Sequence, residues 1–139
     1  YDGQILCAMV SHWDIRRAKT VGAKLRDSDY GGTSHAGEYE TSLYLALKPE
    51  LVEMDKAVDE RTTLSESFRT DLLAGTHPEG SGARLTPYWS QQTASGVIGD
   101  ATKATTEKGE KFLAAATEGL IELIRELKNQ PVPPRHDQH

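Results

Sequence analysis

The strongest constraint in this sequence lies near its C-terminal end. From Ala104 to about Lys128, Phe112, Leu113, Ala116, Leu120, Leu123, Ile124 and Leu127 recur at three- and four-residue steps. Glu107, Lys111, Glu118, Glu122 and Arg125 fill much of the other face. That spacing predicts an amphipathic helix of about six turns, ended by Gln130-Pro131-Val132-Pro133-Pro134, with residues 131–139 as a Pro-rich flexible tail. Such a helix needs a core to lie against, and 139 residues suffice for one globular domain but not two.

At the other end, Ile5-Leu6-Cys7-Ala8-Met9-Val10 reads as a buried strand, in which Cys7 is an inert thiol. A core strand so near Tyr1, with no Met before it, suggests that a segment upstream has been removed; an edge strand on a processed domain is the alternative. Ile15 to Leu25 reads as a short helix, and Asp27 to Gly37 as a loop rich in Asp, Ser, Gly and Thr. Glu38 to Leu47 reads as a short, mostly buried helix stopped by Pro49, and Leu51 to Val58 as a turn with a brief strand or helix. Between Arg61 and Lys103 the periodicity is lost, which points either to an active-site or interface loop or to regular elements that the pattern does not reveal.

Charge and cysteine content narrow the function. Lys and Arg number 16 against 21 Asp and Glu, a net charge of -5, which gives no reason to expect nucleic acid or an anionic membrane as partner. One cysteine excludes an internal disulfide, so a reducing, cytoplasmic setting is expected. No apolar run approaches the roughly 20 residues of a membrane helix, and no signal-peptide pattern opens the sequence, which predicts a soluble chain.

The chemistry-bearing segment is Ser34-His35-Ala36-Gly37-Glu38-Tyr39-Glu40-Thr41-Ser42. It puts an imidazole, suited to proton transfer near neutrality, in a Gly-rich loop ahead of two carboxylates. With Gly37 as N-cap, Glu40 falls at the third helical position, where a carboxylate reaches back to the cap N–H and complements the helix dipole; that capping role competes with a catalytic one. His12 and Trp13 follow the predicted strand, at the end where α/β folds collect ligands, so Trp13 is a candidate pocket wall or an ordinary packed aromatic. Tyr88-Trp89 is a candidate for lining a cleft or interface, with solvent-shielded packing as the alternative. The Gly75–Gly82 loop has glycines spaced as in a phosphate loop but lacks the Lys-Ser/Thr that must follow. His136 and His139 are at most ligands for an adventitious metal. There is no His-Glu-x-x-His pair, no Gly-x-Ser-x-Gly elbow and no cluster able to bind a catalytic metal unaided. These residues make half of a site.

"SHWD" after the apolar run, then "HAGEYETSLYLALKPELVEMDKAVDE", then "SGVIGDATKATTEKGEKFL" leading into the last helix, resemble the C-terminal half of the creatininase (creatinine amidohydrolase) family, from about Ile5 to Lys128. The resemblance implies an α/β fold, a three-layer α/β/α domain of which residues 1–130 supply the C-terminal half. It implies hydrolysis of a C–N bond in a cyclic or linear amide by water activated at a two-ion site of Zn or Mn. Carried over by residue, Trp13 matches an aromatic that closes over substrate, with His12 and Gly37 beside it as substrate-binding positions. His35 matches a proton-relaying histidine, and Glu40 an acid that orients it or a metal ligand. A second substrate-covering tryptophan of creatininase has no counterpart, since Tyr30-Gly31-Gly32-Thr33-Ser34 occupies its place; this leaves the substrate open.

The family's metal ligands lie in its N-terminal half, in a Glu-x-His-Gly segment, a following Asp and a Gly-His-rich segment, none of which is present here. The expectation is therefore two divalent ions bound mainly by residues outside this chain. A second polypeptide carrying the N-terminal half, in a larger homo- or hetero-oligomer, would bring them. A split enzyme, a precursor cleaved in the middle, or a longer protein read only in its second half would each account for this. A non-catalytic regulatory or assembly subunit, and a peptide- or sugar-ring-directed hydrolase, are the alternative functions.

Overall fold

The computed structural model describes residues 5–76, 83–134 and 136. Four helices organise them: α1 (Arg16–Leu25), α2 (Glu38–Leu47), the one-turn α3 (Trp89–Gln92) and the long α4 (Thr106–Asn129). Four two-residue strands, β1 (Asp59–Glu60), β2 (Thr70–Asp71), β3 (Gly75–Thr76) and β4 (Gly99–Asp100), form two antiparallel ladders, β1 with β4 and β2 with β3. The architecture is the expected mix of helix and strand, with the sheet layer reduced to these two ladders among the described residues.

Helix α4 starts two residues later than its periodicity predicts. Ala101–Lys103 forms its own 3-10 turn, in which the Thr102 N–H donates to the Asp100 carboxylate at 3.1 Å, and Thr105 then caps α4 by accepting the Lys108 N–H at 3.2 Å. Phe112, Ala115 and Ala116 are buried where α4 crosses α1 and α2. The core centres on Tyr39, Leu73 and Phe112, with Trp13, Leu25, Leu43 and Leu72 packed around it, and the Tyr39 and Phe112 rings lie 4.8 Å apart. Gly109 sits where α4 meets α2, so close that a Cβ would overlap the Ser42 carbonyl.

Several expectations fail, and for one reason: a face stays buried only if something in the chain covers it. Ile5 to Val10 is neither a strand nor buried. No described segment pairs with it, and Ile5, Leu6, Met9 and Val10 are exposed, as is Cys7, which is therefore not a core thiol. His12–Asp14 is a 3-10 turn rather than a strand end. Helix α2 buries Glu38, Tyr39 and Ser42 but exposes Tyr44 and Leu47, so it is buried only through its first half. On α4 the predicted inner stripe is exposed at Leu113, Leu120, Ile124 and Leu127, while Phe112, Ala115 and Ala116 carry the buried contacts with α1 and α2.

The Leu51 to Val58 stretch forms 3-10 turns at Pro49–Leu51 and Met54–Lys56 before β1. Pro131 to Pro134 has no regular structure. The first four residues, most of the Gly75–Gly82 loop and His139 lie outside the described residues. No described helix is long and apolar enough to cross a membrane.

Candidate functional site

The loop from Asp27 to Gly37 is held by two buried carboxylates that composition alone would not single out. Glu38, at the start of α2, accepts the backbone N–H groups of Asp27 and Ser28, both at 2.8 Å, and the Lys108 ammonium at 2.5 Å. Burial pushes its carboxyl up, but these donors outweigh burial and hold it below 4.5. Asp71, at the end of β2, accepts from Arg26 at 2.9 Å, the Gly31 N–H at 2.8 Å and Thr33 Oγ1 at 2.6 Å. It is likewise held below its ordinary range, burial being outweighed by Arg26 and Thr33.

On this frame stands a tight turn. The Gly32 carbonyl accepts from Glu38 at 3.0 Å and Asp100 at 2.9 Å, and the His35 carbonyl accepts the Ile98 N–H at 2.9 Å. Gly37 lies directly beneath, where any Cβ would overlap the Gly32 carbonyl. Ala36 takes a left-handed conformation, φ 50°, uncommon for a residue other than glycine. The turn projects the His35 imidazole outward, 55% exposed, with its Nδ1 3.8 Å from Glu40 Oε2. Its ring meets the Trp89 ring edge-on at 4.8 Å.

Glu40 performs its capping role with a shift of one residue. It accepts the N–H of Ala36 at 2.7 Å rather than that of Gly37, whose N–H turns to the Ser34 carbonyl at 3.3 Å. At 3.8 Å the His35 contact is an ion-pair distance when the imidazole is protonated, and too long for a hydrogen bond.

His35, Glu40 and Trp13 line one cleft of about 430 Å³, together with Trp89, Arg69 and Arg84. His12 lines a neighbouring cleft of about 770 Å³, and His35 and Glu40 form the ridge shared by both. His12 Nδ1 is 3.2 Å from the Tyr39 hydroxyl, whose pKa is pushed up to about 12 by burial and then by the Glu40 charge. The two rings stack at 5.7 Å, and Trp13 meets His12 edge-on at 4.8 Å. Gly37 is buried and lines neither cleft; it permits the turn. Trp89 proves to be a cleft wall, while Tyr88, beside it, is 81% exposed. Sequence reasoning missed Arg69 and Arg84, because they lie in the aperiodic stretch and nothing local marks them.

Among the described residues no three His, Cys, Asp or Glu side chains gather as a metal site. This donor set does not fit a two-ion centre.

A family profile described as creatininase, creatinine amidohydrolase, matches residues 2–124. The chain belongs to the creatininase family. A curated creatinine amidohydrolase from Pseudomonas putida is 31% identical over 126 residues, which cover 85% of this chain and 41% of that protein. A creatininase structure in its manganese form is 29% identical at a TM-score of 0.59, covering 90% of this chain and 42% of that one. A two-zinc form of a creatininase variant gives the same identity, TM-score and coverage. The chain thus shares the α/β creatininase fold and spans about two fifths of the length of these relatives. The family is one of metal-dependent amidohydrolases.

Proposed function

We propose that this chain is the substrate-side, C-terminal half of a creatininase-type amidohydrolase, and that His35 moves the proton required when the C–N bond of a cyclic or linear amide breaks. The observation that carries this reading is the meeting of an exposed imidazole with Trp13 and Trp89 in one cleft, on a turn anchored by Glu38, Asp71 and Glu40. An imidazole so placed can give a proton to a leaving nitrogen and take it back from water, and the two aromatic walls can hold a flat amide beside it.

The described residues do not make a site for divalent ions, so the share assigned to this chain is binding, positioning and proton transfer. Zn or Mn is held mainly by residues outside it, on a second segment or polypeptide that carries the N-terminal half. Two observations favour such a partner. Ile5, Leu6, Met9 and Val10 are exposed at one end, and Leu120, Ile121, Ile124 and Leu127 form an uncovered apolar face on α4.

The test is His35→Ala in the assembled, metal-loaded enzyme, with metal content measured alongside turnover. Turnover should fall on the order of a hundredfold or more with metal retained. An unchanged rate would return His35 to a structural role and leave a regulatory or assembly subunit as the better reading. Intact-mass analysis of the purified preparation tests the partner directly.

A further inference from the structure

Arg69 and Arg84 line the same cleft as His35, Trp13 and Trp89, and Glu40 is the one carboxylate among the described lining residues. Arg17, Arg26 and Arg61 each pair with an acid: Arg17 with Glu118 and Glu122, Arg26 with Asp71, Arg61 with Asp59 and Asp100. Neither cleft arginine has a carboxylate within ion-pair distance among the described residues. Arg69 is also fixed in place, its Nε donating to the Leu64 carbonyl at 3.0 Å and its terminal nitrogens left for another acceptor.

In a chain of net charge -5, two guanidinium groups without a carboxylate partner among the described residues concentrate positive charge at one cleft. A guanidinium presents its donors in a planar fork that a carboxylate or a phosphate meets with two oxygens at once, whereas a small neutral amide offers it a single carbonyl oxygen. We infer that the substrate is an amide carrying an anionic group, carboxylate or phosphate, which Arg69 and Arg84 hold while the reacting bond lies at His35. The amide part rests on the function proposed above; the anion site rests on the two arginines alone. Anchoring the far end of the substrate converts binding into orientation of the reacting bond.

Both tryptophans of the chain line this cleft, so intrinsic fluorescence reports its occupancy. The protein, purified with whatever partner accompanies it, is titrated with inorganic phosphate, N-acetylglycine and N-acetylglycine methyl ester. A saturable change is expected with at least one anion and not with the ester, and the tighter of the two anions names the group. Arg69→Gln and Arg84→Gln should each weaken binding about tenfold or more, while Arg125→Gln on α4, a loss of equal charge elsewhere, leaves it unchanged.

Equal binding of acid and ester, no response to either anion, or unaltered affinity in both cleft variants overturns the inference. Turnover separates the two claims. Anion binding without hydrolysis of any amide defeats the proposed function and leaves the anion site standing, whereas hydrolysis indifferent to substrate charge does the reverse.

Discussion

His35 Nδ1 stands 3.8 Å from Glu40 Oε2, and that same oxygen already accepts the Ala36 N–H at 2.7 Å. One carboxylate therefore closes the turn that carries the histidine and places a negative charge beside it. Glu40→Gln separates the two roles, since an amide oxygen can still accept the Ala36 N–H but carries no charge. We expect turnover to fall about tenfold in Glu40→Gln with thermal stability nearly unchanged. Glu40→Ala should lose the same rate and a further ~1 kcal/mol of stability. Parallel rate assays and thermal melts check this; full activity in Glu40→Gln would leave the carboxylate a cap only.

Acid should unfold this protein through Glu38 and Asp71. Both carboxyls are held below their ordinary values, 4.5 and 3.8, despite burial that pushes them up. The folded state then binds protons more weakly than the unfolded state. The stability they contribute is present above the ordinary carboxylate range and is lost as pH falls through the folded values. Melting temperature measured from pH 7 downward should decline below about 4.5. Glu38→Gln, which removes a fully buried partner of Lys108, should cost about 3 kcal/mol at pH 7 and flatten that decline.

At the alkaline end Tyr39 dominates. Its hydroxyl is pushed from 10.0 up to about 12 by burial and the Glu40 charge, so the folded state keeps its proton where the unfolded state has lost it. That contribution is whole below pH 10 and disappears as pH rises toward 12. The Lys108 ammonium, raised above 10.5 by Asp27 and Glu38 in spite of its burial, acts in the same sense. Urea unfolding across this range should show the loss, and Tyr39→Phe should make it shallower while costing about 1 kcal/mol at pH 7 through the broken His12 contact.

Two close backbone approaches predict intolerant glycines. Gly109→Ala puts a methyl group into the Ser42 carbonyl and should separate α4 from α2 at a cost of about 2 kcal/mol. Gly37→Ala strikes the Gly32 carbonyl, which already receives two N–H groups, and should disturb His35 as well as stability. Melts of both variants, with turnover for the second, test this.

Leu120 and Ile124 are 42% and 47% exposed on the uncovered face of α4. Replacing both with Glu should leave the melting temperature of the isolated chain within a few degrees, as surface changes usually do. The same pair should abolish co-purification of the proposed partner. Retained partner would place the interface elsewhere.

The helices were readable because their signals are local. The start of α2 at Glu38, its Gly37 cap and its end before Pro49 follow from residues within one turn of each other, and α1 at Arg16–Leu25 matches the predicted Ile15 to Leu25. The Ile5 to Val10 run misled for the complementary reason. Its apolarity describes what those side chains require, and the described chain contains no strand to meet it.

By itself the sequence determined the helical periodicities, the Gly-rich turn bearing His35 and the family pattern, all of which are written in neighbouring residues. Only the tertiary structure brought Trp13, His35, Arg69, Arg84 and Trp89 to one cleft. It also turned Glu38 and Asp71 into buried anchors of the loop. Those groupings join residues far apart in the chain, and they exist because buried carboxylates and unpaired backbone groups must find partners wherever packing of α4 on α1 and α2 delivers them.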